Sequence, residues 1–222
     1  MPALEATLRA GLVALGLDDL SDAQIQLLLD YQALIAKWNK VYNLTAVRDP
    51  AEMLTHHLLD SLAAVPPLRR HLTEVGKPAG GEGARLLDVG AGAGLPGTVF
   101  AICCPGLMVD CVDTVAKKAA FVQQVAVNLK LPNLRGVHAR VENLAGPYEV
   151  ISSRAFASLV DFTNWSQAAL AQQGVWLAMK GKRPEDEISA LPAGVEVFHV
   201  EQLAVPGLDA QRCIVWLRRR AG

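Results

Sequence analysis

The segment Leu86-Leu87-Asp88-Val89-Gly90-Ala91-Gly92-Ala93-Gly94-Leu95-Pro96-Gly97 constrains this chain more than any other. Apolar residues lead into glycines at alternating positions, and an apolar run follows. A short buried strand, a tight turn and a helix start account for that order. Glycine permits the turn and lets a ligand approach the main chain. The helix start beyond it offers free N–H groups. Pro96 suits an early helical position, which has no intrahelical N–H bond to lose.

The rest of the chain after residue 84 repeats the alternation. The spacing predicts strands over 85–89, 107–112, 134–138, 149–153, 174–180, 195–201 and 212–217. It predicts helices over 116–129 and 159–170. Alternation of this kind builds a mostly parallel sheet with helices on both faces. The last two predicted strands have little between them, so they close the sheet as a hairpin with an antiparallel edge strand. The expected fold class is α/β, a mostly parallel sheet with an antiparallel edge strand, preceded by an N-terminal helical region.

That region reads as helical. An amphipathic run over 4–15 ends at Gly16. Ser21 and Gln24 form a capping-box pair before a longer helix. Asp49, Pro50 and Glu52 start a third, whose apolar stripe is Leu54, Leu58, Leu62 and Val65. Pro66-Pro67 is expected to stop it. Residues 66–84 are rich in proline and glycine and read as a linker. The expected division is a helical cap over 1–65, a linker over 66–84 and a ligand-binding domain over 85–222.

Two ligand classes use a glycine turn like this one. Gly92-x-Gly94-x-x-Gly97 matches the dinucleotide fingerprint. Asp113, at the end of the second predicted strand, could hold ribose hydroxyls in either class. Asp88 discriminates between them. An acid just before the turn suits the ammonium of S-adenosyl-L-methionine and would repel a pyrophosphate. The Asp-x-Gly-x-Gly-x-Gly order therefore favours S-adenosyl-L-methionine. The turn Val141-Glu142, after the third strand, could read an adenine edge through its backbone. The alternatives are an NAD(P)-dependent oxidoreductase and a non-catalytic nucleotide-sensing protein with the helical cap as its partner surface.

Ligands of open α/β sheets lie outside the carboxyl ends of the strands. The fourth strand ends in Ser153-Arg154 and the fifth in Lys180-Gly181-Lys182-Arg183. The absence of Asn/Asp-Pro-Pro-Tyr at the fourth argues against methylation of an exocyclic amine. Lysine and arginine at the fifth suit phosphate contacts. His56, His57 and Asp60 invite a metal reading but lack a third good ligand, so no metal is expected. Arg218-Arg219-Arg220 reads as a frayed tail.

Composition sets the limits. Twenty-one basic side chains face 22 acidic ones, a net charge of −1, which excludes bulk polyanion binding but not a local basic rim. The four cysteines, Cys103, Cys104, Cys111 and Cys213, show neither a CxxC pair nor metal spacing. No apolar run reaches the roughly 18 residues of a membrane span, and Met1-Pro2-Ala3-Leu4-Glu5 lacks a basic leader. A cytoplasmic protein without a membrane partner is expected.

Three further stretches carry a resemblance. They are Trp38-Asn39-Lys40-Val41-Tyr42-Asn43-Leu44-Thr45, His57-Leu58-Leu59-Asp60-Ser61 and Ser153-Arg154-Ala155-Phe156-Ala157-Ser158-Leu159. With the glycine turn and its Gly-Leu-Pro-Gly, they resemble the RsmG (GidB) family, bacterial guanine-N7 methyltransferases of 16S ribosomal RNA. The resemblance implies a Rossmann-like methyltransferase sheet behind an N-terminal helical extension, with S-adenosyl-L-methionine as cofactor and one guanine of 16S rRNA, free or in the small ribosomal subunit, as target. It implies cofactor contacts at Gly90, Leu95, Val141, Glu142 and Arg154. The fuller expected cofactor set adds Asp88, Gly92, Gly94 and Asp113. Arg154 or Lys180 is expected to hold the guanine edge, because arginine and lysine read O6 and N7. A monomer is expected.

Overall fold

The computed structural model describes residues 2–220, so the outer limits of the expected units, at 1 and at 221–222, lie outside it. Its centre is a seven-stranded sheet. The strands are β1 (Arg85–Val89), β2 (Met108–Asp113), β3 (Leu134–His138), β4 (Tyr148–Arg154), β5 (Leu170–Lys180), β6 (Val195–Leu203) and β7 (Arg212–Arg219). Their order is β3-β2-β1-β4-β5-β7-β6. The first five pair in parallel. Strand β7 runs antiparallel to both β5 and β6. The closing hairpin is present, and its reversed strand enters between β5 and β6 rather than lying at the edge.

Burial on both faces explains the apolar strands. In β1, Leu86 faces one core and Leu87 and Val89 the other. The first core takes in helices α1 (Pro2–Ala14), α2 (Asp22–Tyr42), α6 (Gly97–Cys103) and α7 (Ala116–Asn128). The second is closed by Leu159 and Phe162 of α8 (Leu159–Ser166). The N-terminal helices and the sheet thus share one continuous core.

Helix α2 opens with the expected reciprocal cap. Ser21 Oγ accepts from Gln24 N, and Gln24 Oε1 accepts from Ser21 N. Asp49 caps α3 (Pro50–Met53) by accepting from the N–H groups of Ala51 and Glu52. Beyond Met53 the chain adopts a π-helical turn, Leu54–Leu59, before α4 (Asp60–Leu62). No sequence pattern announced that turn.

Two expectations need correction. Pro66-Pro67 does not end a helix but lies in the first turn of another, α5 (Val65–Glu74). First-turn N–H groups have no intrahelical acceptor, so proline removes nothing there. Leu68 and Leu72 are buried in the first core, and only 75–84 is irregular. Nor are Arg218 and Arg219 a frayed tail. Both belong to β7; Arg218 pairs with Glu196 at 2.6 Å, and Arg219 donates to Gln167 O and Leu170 O.

The chain crosses from one half of the sheet to the other between β3 and β4, which leaves β1 and β4 as neighbours at the reversal of strand order. Their carboxyl ends form the crevice where this topology binds ligands.

Candidate functional site

The glycine turn leaves β1 at that crevice. A side chain at Gly90 would overlap the Phe156 ring, and one at Gly97 would collide with Cys111 Sγ and Asp88. Gly92 differs: its φ is +59°, and a Cβ there would meet nothing closer than Gly90 O, 4.0 Å away. Packing thus accounts for Gly90 and Gly97, whereas Gly92 borders open space. The Tyr31 hydroxyl, fully buried on α2, donates to Ala93 O at 2.7 Å and ties the N-terminal helices to the turn.

Asp88 does not take the role expected of it. It is fully buried beneath the turn, where Oδ2 accepts from Gly97 N at 2.9 Å and Oδ1 from Ser152 Oγ at 2.8 Å. It fixes the helix start from below instead of facing a ligand's ammonium. Burial raises its carboxyl from 3.8 to about 6, despite those two donors. A raised acid favours the fold while protonated. That contribution is full below pH 3.8 and is lost as the pH rises through about 6. Asp88→Asn keeps the shape without the titration. Its stability relative to the parent should climb by up to about 3 kcal/mol between about pH 4 and 7. Urea unfolding at both ends of that range reads the difference, and a flat difference would contradict the buried charge.

Two cavities flank the turn. The first, about 490 Å³, is lined by Leu44, Thr45, His56, His57 and Asp60 from the N-terminal helices. Gly90 to Ala93, Leu95, Arg154, Lys180 and Arg212 also line it. The second, about 400 Å³, is lined by Asp113, Val115, Lys118, Arg140, Val141, Glu142, Phe156 and Trp165. Gly90 and Ala155 border both. Ala155 has a φ of +51°, which costs a non-glycine residue about 1–2 kcal/mol. Such strain concentrates at functional sites.

The expected residues divide between these spaces. Gly90, Gly92, Leu95, Arg154 and Lys180 meet at the first, and Asp113, Val141 and Glu142 at the second. Gly94 lines neither and packs against Thr98, Val122 and Tyr31. Asp113 accepts from Gly92 N at 3.1 Å and Val115 N at 2.8 Å. Val141 and Glu142 begin a short 3₁₀ turn, Val141–Asn143.

Charge in the first cavity is already partnered. Lys180 Nζ donates to Ala157 O and to both oxygens of Glu187, at 2.8–3.1 Å. Its three protons are therefore engaged. Arg154 Nη1 donates to Asp60 Oδ2 at 2.7 Å and His56 O at 3.0 Å. His57 Nε2 lies 2.6 Å from Thr45 Oγ1. Burial, then the Arg154 charge, lowers its imidazole below the ordinary value and keeps it neutral near pH 7. Among the described residues no His, Cys, Asp and Glu group could hold a metal, and no helix is long and apolar enough to cross a membrane.

A family model described as rRNA small subunit methyltransferase G, GidB, matches residues 24–215. The chain belongs to the GidB family. A Paracidovorax citrulli protein named ribosomal RNA small subunit methyltransferase G is 71% identical over 224 residues, covering 99% of this chain and 92% of its own. The protein of that name from Albidiferax ferrireducens is 66% identical over 224 residues, covering 100% of each. The sheet resembles two solved structures. TrmN from Thermus thermophilus aligns with TM-score 0.55 and 20% identity, over 73% of this chain and 52% of its own. The Burkholderia thailandensis 1,6-didemethyltoxoflavin-N1-methyltransferase, solved with S-adenosylhomocysteine, aligns with TM-score 0.56 and 16% identity, over 86% and 90%. The fold of this GidB-family chain is that of Rossmann-like methyltransferases.

Several site residues escaped the sequence reading. Arg212, at the start of β7, donates from Nε to Asp60 Oδ1 at 2.8 Å and lines the first cavity. Trp165, on α8, stands 40% exposed at the second, edge-on to Phe156. No sequence signal pointed to Arg212: Asp60 is two residues from both Leu58 and Leu62, off the face of the apolar stripe, and its burial is visible only in the structure.

Proposed function

We propose that this chain transfers a methyl group from S-adenosyl-L-methionine to N7 of a guanine in 16S ribosomal RNA. The observation that carries the reading is the pair of cavities that meet at Gly90, with open space over Gly92 in the first of them. An elongated ligand with a nucleoside at one end and an amino acid at the other fits that plan. Asp113 would hold the ribose, and the backbone at Val141 and Glu142 the adenine. Gly90, Gly92 and Leu95 would line the path towards the first cavity. When bound, the cofactor supplies an electrophilic methyl group.

The remaining space in the first cavity would take the guanine. N7 carries an in-plane lone pair and no proton, so its attack needs no general base. The neutral His57 and the doubly paired Asp60 are consistent with that. What the protein supplies is alignment of N7 with the methyl group. Of the two expected guanine readers, Arg154 is the better placed, since the Lys180 ammonium is occupied by Ala157 and Glu187. A base turned out of a loop exposes its Hoogsteen edge, which suits small-subunit RNA as the partner. In this reading the chain acts as a monomer in the cytoplasm, where ribosomal subunits are made.

Calorimetry with S-adenosylhomocysteine and with NADH tests the cofactor. The first is expected to bind and the second to leave no heat. Labelled methyl groups should enter 16S RNA at a guanine N7, offered as naked RNA or as small subunits lacking the modification. Binding of NADH alone, or label at another atom, would overturn the proposal.

A further inference from the structure

We propose that Asp60 is a positioning residue for methyl transfer, acting through the π-helical turn before it to hold Arg154 and Arg212 as a fixed pair. The inference rests on the proposed methyl transfer to guanine. In an α-helix the Asp60 N–H would bond to His56 O. Here it bonds to Thr55 O and His57 O instead. The bypassed His56 carbonyl accepts from Arg154 Nη1 at 3.0 Å. The same turn brings the Asp60 carboxylate to that guanidinium at 2.7 Å. Its other oxygen accepts from Arg212 Nε at 2.8 Å.

Three distant parts of the chain converge here: the end of a π turn, the tip of β4 and the start of β7. The Asp60 side chain is 4% exposed, whereas Arg154 and Arg212 are 19% and 25% exposed and line the first cavity. The carboxylate thus borders the cavity but is far less exposed than the groups it orients. One buried anion between two cations leaves a net positive wall facing the cavity. Single π turns recur at functional sites, and this one has an identifiable product: a free carbonyl that gives Arg154 a second anchor. A guanidinium fixed at two points can present its remaining donors to a base edge or a phosphate in one orientation.

The full-length protein tests this in three variants, Asp60→Asn, Arg154→Ala and the double variant. For Asp60→Asn, kcat on unmethylated small subunits should fall about 100-fold, as expected when a reacting group is misplaced. The loss should exceed any change in KM, and affinity for S-adenosylhomocysteine should stay within about twofold of the parent. Because Asp60 acts in part through Arg154, the losses should not multiply: the double variant should be slower than Arg154→Ala by much less than the loss seen in Asp60→Asn alone, the residue of that loss being its effect on Arg212. Asp60→Glu keeps the buried charge on a longer arm. It should fold like the parent and lose about tenfold in kcat, which decides the matter should Asp60→Asn not fold. Parental kcat in either Asp60 variant would overturn the inference. So would losses that multiply in the double variant, or a parallel loss of cofactor affinity. An inactive parent protein would overturn both this inference and the function on which it rests.

Discussion

Gly92→Val is expected to abolish cofactor binding while leaving the protein folded. The left-handed backbone at Gly92 penalises a β-branched residue by about 1–2 kcal/mol. For a domain of this length that lowers the melting temperature by roughly 2–8 °C. No protein atom beyond the chain neighbours lies closer than 4.0 Å to the new Cβ, so the side chain enters the open space of the first cavity. A ligand crossing from Asp113 to Leu95 would meet it. Affinity for S-adenosylhomocysteine should drop by more than about 100-fold, equivalent to about 3 kcal/mol. Calorimetry and a thermal melt on the same sample separate the two effects. Unchanged affinity would place the ligand elsewhere.

Arg154→Ala should lower methyl transfer by about 10² to 10³, the usual range for losing one oriented donor at a reacting centre. The variant leaves Asp60 with Arg212 as its one remaining ion pair. Removing one partner of a buried ion pair costs about 3–5 kcal/mol when no other cation remains. With Arg212 in place a smaller loss is expected, and circular dichroism should report a folded protein. Single-turnover transfer of labelled methyl to small subunits gives the chemical step. Parental rates in this variant would remove Arg154 from the mechanism.

The sheet and the glycine turn were legible because their physics is local. Buried parallel strands read as apolar runs, and turn glycines cannot be replaced without strain or collision. The capping pair Ser21 and Gln24 was legible for the same reason. What the sequence hid was whatever depends on distant partners. Pro66-Pro67 looked like a stop, because proline ends a helix it follows and starts one it leads. Asp88 looked like a ligand contact, because the motif does not say which side of the turn its carboxylate lies on. The Asp60–Arg212 pair joins residues 152 apart in sequence, beyond the reach of any periodicity. The π turn left no trace, since Leu54-Thr55-His56-His57-Leu58-Leu59 is equally compatible with α-helical spacing.

The strand order bears on how the chain is made. Strand β6 leaves the ribosome before β7, yet β7 is the strand that joins it to the rest of the sheet. Until β7 emerges, the nascent β6 has no partner and the edge of β5 stands open, a template for wrong pairing. Arg212 arrives with β7, so Asp60 carries a single counter-charge during that interval. Insertion of β7 then closes the sheet and completes the wall of the first cavity in one step, so a half-made chain cannot present that cavity finished.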